Sequence, residues 1–486
     1  MVAERPAAAP CAVASATTST NSVRSRPPTV PRPLALASEV RDCMVTAFEG
    51  KPGMNAARII ADDVRLIDRY TLEVAFSCPP RLSRFFFEKR FRARYSVPID
   101  TVPEPLLIIP FLANILPFAW LLDASVEVGT VDAVFADSIQ RVRAGFQTLY
   151  PALLLGGSLD AREIVPTHAP ESARTAMLFS GGLDSVVTYA LHADEHPLLI
   201  TVGSTAENLE TDETWEAMRS DVEAFARVSN TSNLIVLSNL RRMFNARALD
   251  THFRHAFTNW WGGIQHGFGM TGLAAPLSNA VGFSRLYIAS TLSRTVSHPW
   301  GSDPLIDDEI AWSDLRVRHD AYDLNRHQKI AVFAKYREQL GTDLPLRVCD
   351  HAHGPVRNCG RCEKCCRTMT GLVLHGVDPT GVGFPPLSNA HIVRQLERGA
   401  WELPRGTRSY WTDLQSLAQS AIRAASPDPI TAAHQEYLEW LAQADFEDLR
   451  RRADRSLYRR VRYLWGLLPR GVVRALEQAR RAIGRT

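Results

Sequence analysis

Phe179-Ser-Gly-Gly-Leu-Asp-Ser185 decides how this chain is read. An apolar run, Ala176-Met-Leu, leads into it, and Val186, Val187, Tyr189, Ala190 and Leu191 follow. The pattern predicts a buried strand, a tight glycine turn and a helix start meeting at one point. Gly181 and Gly182 let the backbone turn sharply and approach a ligand with no Cβ in the way. The helix that follows offers unpaired N–H groups and the positive end of its dipole, which suits an anion. Ser180 and Ser185 add hydroxyl donors, and Asp184 adds a carboxylate able to hold Mg²⁺ beside a pyrophosphate. The plain alternative is a Gly-Gly turn capped by Asp or Ser. A Walker loop ends in Gly-Lys-Ser/Thr, and the chain contains no such ending, which disfavours cleavage at the γ-phosphate.

Placed directly after a strand, SGGLDS resembles the signature of the PP-loop (N-type ATP pyrophosphatase) superfamily. The resemblance implies an adenine-nucleotide α-hydrolase-like α/β fold with a doubly wound parallel sheet. It implies cleavage of ATP between its α and β phosphates, with Mg²⁺. On this basis Asp184 and Ser185 are the candidate catalytic residues, and Phe179, Ser180, Gly181, Gly182, Leu183, Asp184 and Ser185 the candidate ATP-binding loop. Thr201, Val202, Gly203 and Ser204 end the next strand, where relatives hold adenine mostly with backbone groups.

The second constellation runs from Cys349 through Cys359, Cys362 and Cys365 to Cys366 and Arg367. Two CxxC steps share Cys362, and Cys349 supplies a fourth thiolate at the end of an apolar run. Four thiolates complete a closed, structural zinc site with no open position for a reactant. The spacing also serves iron–sulfur clusters. The stretch, with Gly360 after the second cysteine and Arg367 beyond the last, resembles the C-terminal zinc knuckle of the 7-cyano-7-deazaguanine synthase family. Cys366 is a spare, either a small buried residue or a reactive thiol. His351 and His353 are polar loop residues or substitute ligands.

At 486 residues the chain exceeds one ordinary core. A hydrophobic share of 45%, a charged share of 22% and a net charge of +3 are those of a globular protein with no evident pull toward nucleic acid. Five of the eight cysteines lie at one spot, which suits a reducing cytoplasm better than a disulfide framework. Residues 1–38 are rich in Ala, Pro, Ser, Thr and Arg without periodicity and read as a disordered arm with no signal peptide. An N-terminal α+β domain is expected over 39–168, the PP-loop domain over 169–348, the four-cysteine zinc knuckle over 349–378, and a helical basic extension over 379–486.

In the first of these domains, Leu72, Val74 and Phe76 alternate with polar residues, as do Phe87, Phe91, Ala93, Tyr95 and Val97 with Glu88, Arg90, Arg92 and Arg94. Two strands in a hairpin follow. The cationic outer face is a solvated strand face or a contact for a phosphate-rich partner. Leu106–Leu122 is almost wholly apolar, but Pro110 and Pro117 break it, so buried helices are expected rather than a membrane span. Further strands are expected at Thr175–Phe179, Leu198–Val202, Leu234–Leu237, Arg285–Ser290 and Leu344–Val348, with helices carrying Trp215, Met218, Val222 and Phe225, and spanning Gln328–Leu340.

Trp260-Trp-Gly-Gly263 and His266-Gly-Phe-Gly269 face substrate or are core packing. The loop after Ser290 carries Arg294, His298, Asp303, Asp307, Asp308 and Glu309, a place for Mg²⁺ or an amine, or merely solvated acids. Arg326 and Lys329 are candidates to neutralise departing pyrophosphate, or surface charge. The arginine-rich amphipathic stretch beyond Arg450 suits RNA, an anionic membrane or packing on the protein itself.

The resulting expectation is an AMP- and pyrophosphate-forming C–N ligase similar to 7-cyano-7-deazaguanine synthase. It would act on a small-molecule or modified-base acceptor, with homodimerisation open. The competitors are a tRNA-thiolating PP-loop enzyme using a reactive cysteine, and a non-catalytic nucleotide-binding regulator.

Overall fold

The computed structural model describes residues 57–168, 172–204, 213–296, 298–349, 351–352, 354–423 and 428–455. The expected arm at 1–38 and most of the basic stretch beyond Arg450 lie outside these residues.

The described chain is α/β, with one mostly parallel sheet of eleven strands. These are β1 (Ala57–Asp68), β2 (Thr71–Ser77), β3 (Arg90–Tyr95), β4 (Ala124–Asp132), β5 (Ser158–Val165), β6 (Thr175–Leu178), β7 (Leu198–Ser204), β8 (Asn233–Ser238), β9 (Arg285–Ala289), β10 (Ala311–Trp312) and β11 (Leu315–Asp320). Their order across the sheet is β10-β11-β9-β6-β7-β8-β3-β2-β1-β4-β5. From β11 to β8 every pairing is parallel. β8 pairs antiparallel with β3, through Ala93↔Ser238 to Tyr95↔Val236. The segments on either side of residue 168 therefore share one sheet, although sequence reading divides them into two domains.

The apolar alternation explains the layers. β6 is buried on both sides: Ala176 and Leu178 enter one core, Met177 and Phe179 the other. The first core holds α1 (Ile109–Leu121) and α2 (Ala133–Leu149). The second holds α3 (Leu183–Leu191) and α4 (Glu213–Val228). Behind α1 lies α5 (His266–Gly272). α6 (Arg326–Leu340), α7 (Glu363–Leu374) and α8 (Arg405–Ala421) complete the second layer.

The β2–β3 hairpin forms, with Leu72, Val74, Phe76, Phe91, Ala93 and Tyr95 buried. Phe87 stands outside it and is exposed, because the chain has not yet entered the ladder. β1 adds a third antiparallel strand. The apolar run Leu106–Leu122 is core: α1 is buried almost throughout, and no described helix is long and apolar enough to cross a membrane. Asn114 in its middle is satisfied by Pro110 O at 2.9 Å, Gly269 O at 3.2 Å and the Gln265 amide at 2.7 Å.

Leu344–Val348 is not a strand. β6 already has β7 and β9 on its two edges, so this apolar segment has no ladder to join. It packs its buried Leu344, Leu346 and Val348 beneath the loop, bonding Leu346 N to Val382 O at 2.9 Å and Arg347 N to Gly181 O at 3.0 Å. The fifth parallel strand is instead β11.

Candidate functional site

SGGLDS turns at the carboxyl end of β6, the edge where parallel sheets place ligands. Gly181 has φ 71°, a conformation that side chains with a Cβ resist, and Gly182 is the N-cap of α3. Phe179 and Leu183 are buried anchors on either side, Phe179 packing tilted against Phe225 with centroids 4.5 Å apart. Ser185 is buried and closes the turn: its hydroxyl donates to Gly182 O at 3.0 Å and accepts from Ser180 N at 3.4 Å. Its role in this arrangement is to shape the loop.

Asp184 is the hub. Arg326 Nη1 donates to both its oxygens, at 3.1 and 3.0 Å, and Lys329 Nζ donates to Oδ1 at 3.3 Å. Both cations are buried rather than surface charge. The capping box of Asn325 and Gln328 starts α6 and projects them from its first turn. Lys329 also donates to the Ser290 carbonyl, tying the loop after β9 to the same point. Burial pushes the Asp184 carboxyl up, but Lys329 and Arg326 hold it below the usual carboxylate range. Burial likewise pulls the Lys329 ammonium below its ordinary value, against the attraction of Asp184. Both oxygens of Asp184 are engaged, Oδ1 by two donors and Oδ2 by one. The only cluster of three or more His, Cys, Asp or Glu ligands among the described residues is elsewhere, at the cysteines.

β7 runs on past β6. Its last pairing with β6 is Leu178↔Ile200, and Phe179 N bonds Ile200 O at 2.9 Å, whereas its pairing with β8 continues to Ser204↔Ser238. Strand alternation puts the backbone groups of Val202 on the edge left open beside SGGLDS. Thr201 and Gly203 are taken up by packing. Thr201 is buried with its hydroxyl donating to Asn233 Oδ1 at 2.8 Å. A Cβ on Gly203 would stand 2.7 Å from Leu237 and 2.8 Å from Trp215.

Cys349, Cys359, Cys362 and Cys365 bring their sulfurs within 4.8 Å of one another. Two of the edges, Cys349–Cys362 and Cys359–Cys365, measure 3.9 Å. Zn–S bonds of about 2.3 Å give a tetrahedron with S···S edges of about 3.8 Å, so the four could hold one metal ion such as zinc. A four-iron cluster, with each cysteine on a different corner, spreads its thiolates wider. The turn is built for anionic sulfur: backbone N–H groups of His351, Cys362 and Cys365 donate to Cys349, Cys359 and Cys362 at 3.3, 3.3 and 3.5 Å. The Cys365 thiol beside it pulls Cys362 down to about 5, against burial. Asn358 locks the knuckle under the loop, accepting from Val348 N at 2.9 Å and donating to Leu346 O at 2.7 Å. Cys366 is buried outside the cluster, and burial pushes its thiol well up. His351 is exposed with only its backbone on Cys349, and His353 lies outside the described residues.

Two further expectations resolve toward structure. Trp260 and Phe268 are core, and the glycines around them admit close packing; a Cβ on Gly272 would lie 2.3 Å from the Ala113 Cβ of α1. The acids after β9 form no metal-ligand cluster, although Asp307 and Asp308 lie near enough to act on Asp303. Asp303 caps a helical turn, Asp307 accepts from Ser302 at 2.6 Å and His319 at 2.8 Å, Asp308 accepts from His319 N, and Glu309 pairs with Arg141.

Sequence reading missed Glu363 and Tyr410. Arg367 is nearly buried, pairs with Glu363 at 2.9 Å and lies over the Tyr410 ring, 4.3 Å from its centroid. The i,i+4 spacing of Glu363 and Arg367 was the available signal.

No protein-family model matches this chain, and no curated protein sequence matches it.

Proposed function

We propose that the protein is an ATP-dependent adenylating enzyme of the PP-loop type, similar in chemistry to 7-cyano-7-deazaguanine synthase. The observation that carries the reading is the meeting, at the carboxyl end of β6, of the Gly181 turn, the N-terminus of α3 and the buried Arg326 and Lys329. Backbone N–H donors and two desolvated cations suit a polyphosphate, and the open edge of β7 suits a base held by backbone groups.

In this reading an acceptor carboxylate or carbonyl oxygen attacks the α-phosphorus of ATP. The bond to the bridging oxygen breaks, pyrophosphate leaves, and a carboxylate becomes an acyl-adenylate, an amide carbonyl an O-adenylated imidate. An amine or ammonia then attacks the acyl carbon and AMP departs. The protein contributes position and charge: the loop and Arg326 face the phosphates, and Asp184 holds Arg326 and Lys329 in place. Cys349, Cys359, Cys362 and Cys365 would hold a zinc ion, which would brace the loop as a closed structural site.

Calorimetric titration of ATP into the full-length protein tests the reading first, and wild type is expected to bind while Lys329→Met does not. Chromatography of AMP and pyrophosphate after incubation with ATP, ammonium and panels of carboxylates tests turnover. Absence of ATP binding would sink the proposal, and binding without AMP across the panels favours a nucleotide-sensing regulator. The thiolating alternative needs a reactive cysteine outside the metal site, and the deep burial of Cys366 weighs against it.

A further inference from the structure

The helical extension beyond the knuckle carries chemistry of its own. α8 packs against α6, which brings Arg326 and Lys329 to the loop, and against α7, which carries Arg367. Trp411 is fully buried there, and its indole N–H donates to Glu363 Oε1 at 2.9 Å. Glu363 in turn accepts from Arg367 Nε at 2.9 Å and Nη2 at 3.4 Å. Two of the five guanidinium N–H donors are thus committed. The neighbouring Tyr410 ring lies against the guanidinium, 4.3 Å from centroid to carbon, and stacking fixes the plane in which the remaining three donors lie.

The same tyrosine reaches the other wall of the site. Its hydroxyl donates to Thr291 O at 3.2 Å, one residue beyond the Ser290 carbonyl that Lys329 grips. Arg326 and Asp184 are near enough for their charges to act on that hydroxyl, while burial pushes it above its ordinary value. Gly406, a turn earlier on α8, abuts His298 of the same loop; a Cβ there would stand 3.3 Å from the imidazole.

We propose that Tyr410 is a positioning residue of the phosphate site, acting through Arg367, so that the C-terminal extension is a built-in wall of that site. This rests on the nucleotide reading above and adds Arg367 as a third cation facing the polyphosphate. Without the ring, Arg367 keeps Glu363 but is free to swing out of plane.

Titration of inorganic pyrophosphate into full-length protein reads the effect. Tyr410→Leu is expected to weaken binding about tenfold, and Tyr410→Phe, which keeps the ring, to stay within about twofold. Arg367→Gln should match Tyr410→Leu, and the double variant should bind no more weakly than Arg367→Gln alone. A merely structural role would leave the two losses additive. Where Tyr410→Leu lowers the melting temperature or the metal content, Tyr410→Met keeps the bulk and replaces it. Unchanged binding in the leucine or methionine variant, or full additivity with Arg367→Gln, overturns the inference while leaving the nucleotide reading intact. Failure of the wild type to bind pyrophosphate removes both.

Discussion

The loop after β6 and the loop after β9 both have ionisable residues gathered around them, and they are used in opposite ways. Around SGGLDS the groups come from α3, α6 and α7, far apart in sequence: Arg326 and Lys329 meet on Asp184, and Arg367 pairs with Glu363. Two cations against the single Asp184 carboxylate leave positive charge over, partly desolvated, which suits an anionic ligand. After β9, each group is taken up singly: Arg294 by Asp323 at 2.7 Å, Asp307 by Ser302 and His319, Asp308 by Arg318 at 3.6 Å and Glu309 by Arg141 at 3.0 Å. What is left over there is acidic rather than cationic: Asp303 meets only the Leu305 N–H, and Asp307 Oδ1 is buried without a partner. Local density of charge is therefore a poor guide to a site; unbalanced charge assembled from distant elements is a better one.

The largest effect should come from the metal, because the knuckle begins α7, the helix that carries Glu363 and Arg367, and ties down the segment beneath the loop. Cys362→Ser, or stripping with a strong chelator, is expected to lower the melting temperature by more than about 10 °C and to abolish pyrophosphate binding. Elemental analysis of the untreated protein should find zinc at one ion per chain, without iron. Intact stability in the metal-free protein would mean that the knuckle is an ornament.

Next in size is the contrast between the two loops themselves. Asp184→Ala strands Lys329 and Arg326 without their counter-ion and should cost about 3–5 kcal/mol in urea unfolding. The pair Asp308→Asn and Glu309→Gln, on the other loop, should cost less than about 1 kcal/mol together and leave ATP binding unmoved. Equal costs at the two places would dissolve the distinction.

The convergence was half legible. SGGLDS and the four cysteines announce themselves because turn geometry and metal geometry demand fixed spacings, and the buried strand before the loop is a run of apolar residues. Arg326 and Lys329 could be picked out beside a helix start, but their burial could not, since nothing local distinguishes a desolvated lysine from a solvated one. Tyr410 was invisible, lying in a helix that sequence reading set apart. The fold shows the same limit. β11 reads Leu-Arg-Val-Arg-His-Asp, and its outward arginines mask a strand buried on its other face. β1 loses its alternation at register shifts between Ala61 and Asp63 and between Leu66 and Asp68. Leu344–Val348 is apolar enough for a strand, yet its ladder place was taken by residues of other segments, a tertiary fact absent from any window of sequence.

The smallest expected effect lies where the two regions touch. Neighbours His319 and Asp320 at the end of β11 point to opposite faces of the sheet: His319 to Asp307, Asp320 to His192 at the C-cap of α3. His192 stacks on Tyr287, donating to Asp320 at 3.1 Å and to Glu195 at 2.8 Å, and Tyr287 donates to the same Glu195. Asp320, helped by Glu195 and opposed by burial, raises the imidazole above its ordinary value. The folded protein therefore holds a proton that the unfolded chain gives up near pH 6.5. The stabilisation is complete below that pH and drains away as pH rises through the higher folded value. Thermal unfolding followed from pH 6 to pH 9 should show this decline in wild type, and His192→Gln, which cannot titrate, should flatten it. Because Lys329 also feels Asp320, pyrophosphate affinity measured over the same range should move with it only if the two faces are coupled; a flat affinity beside a sloping stability would confine the convergence to the loop side of the sheet.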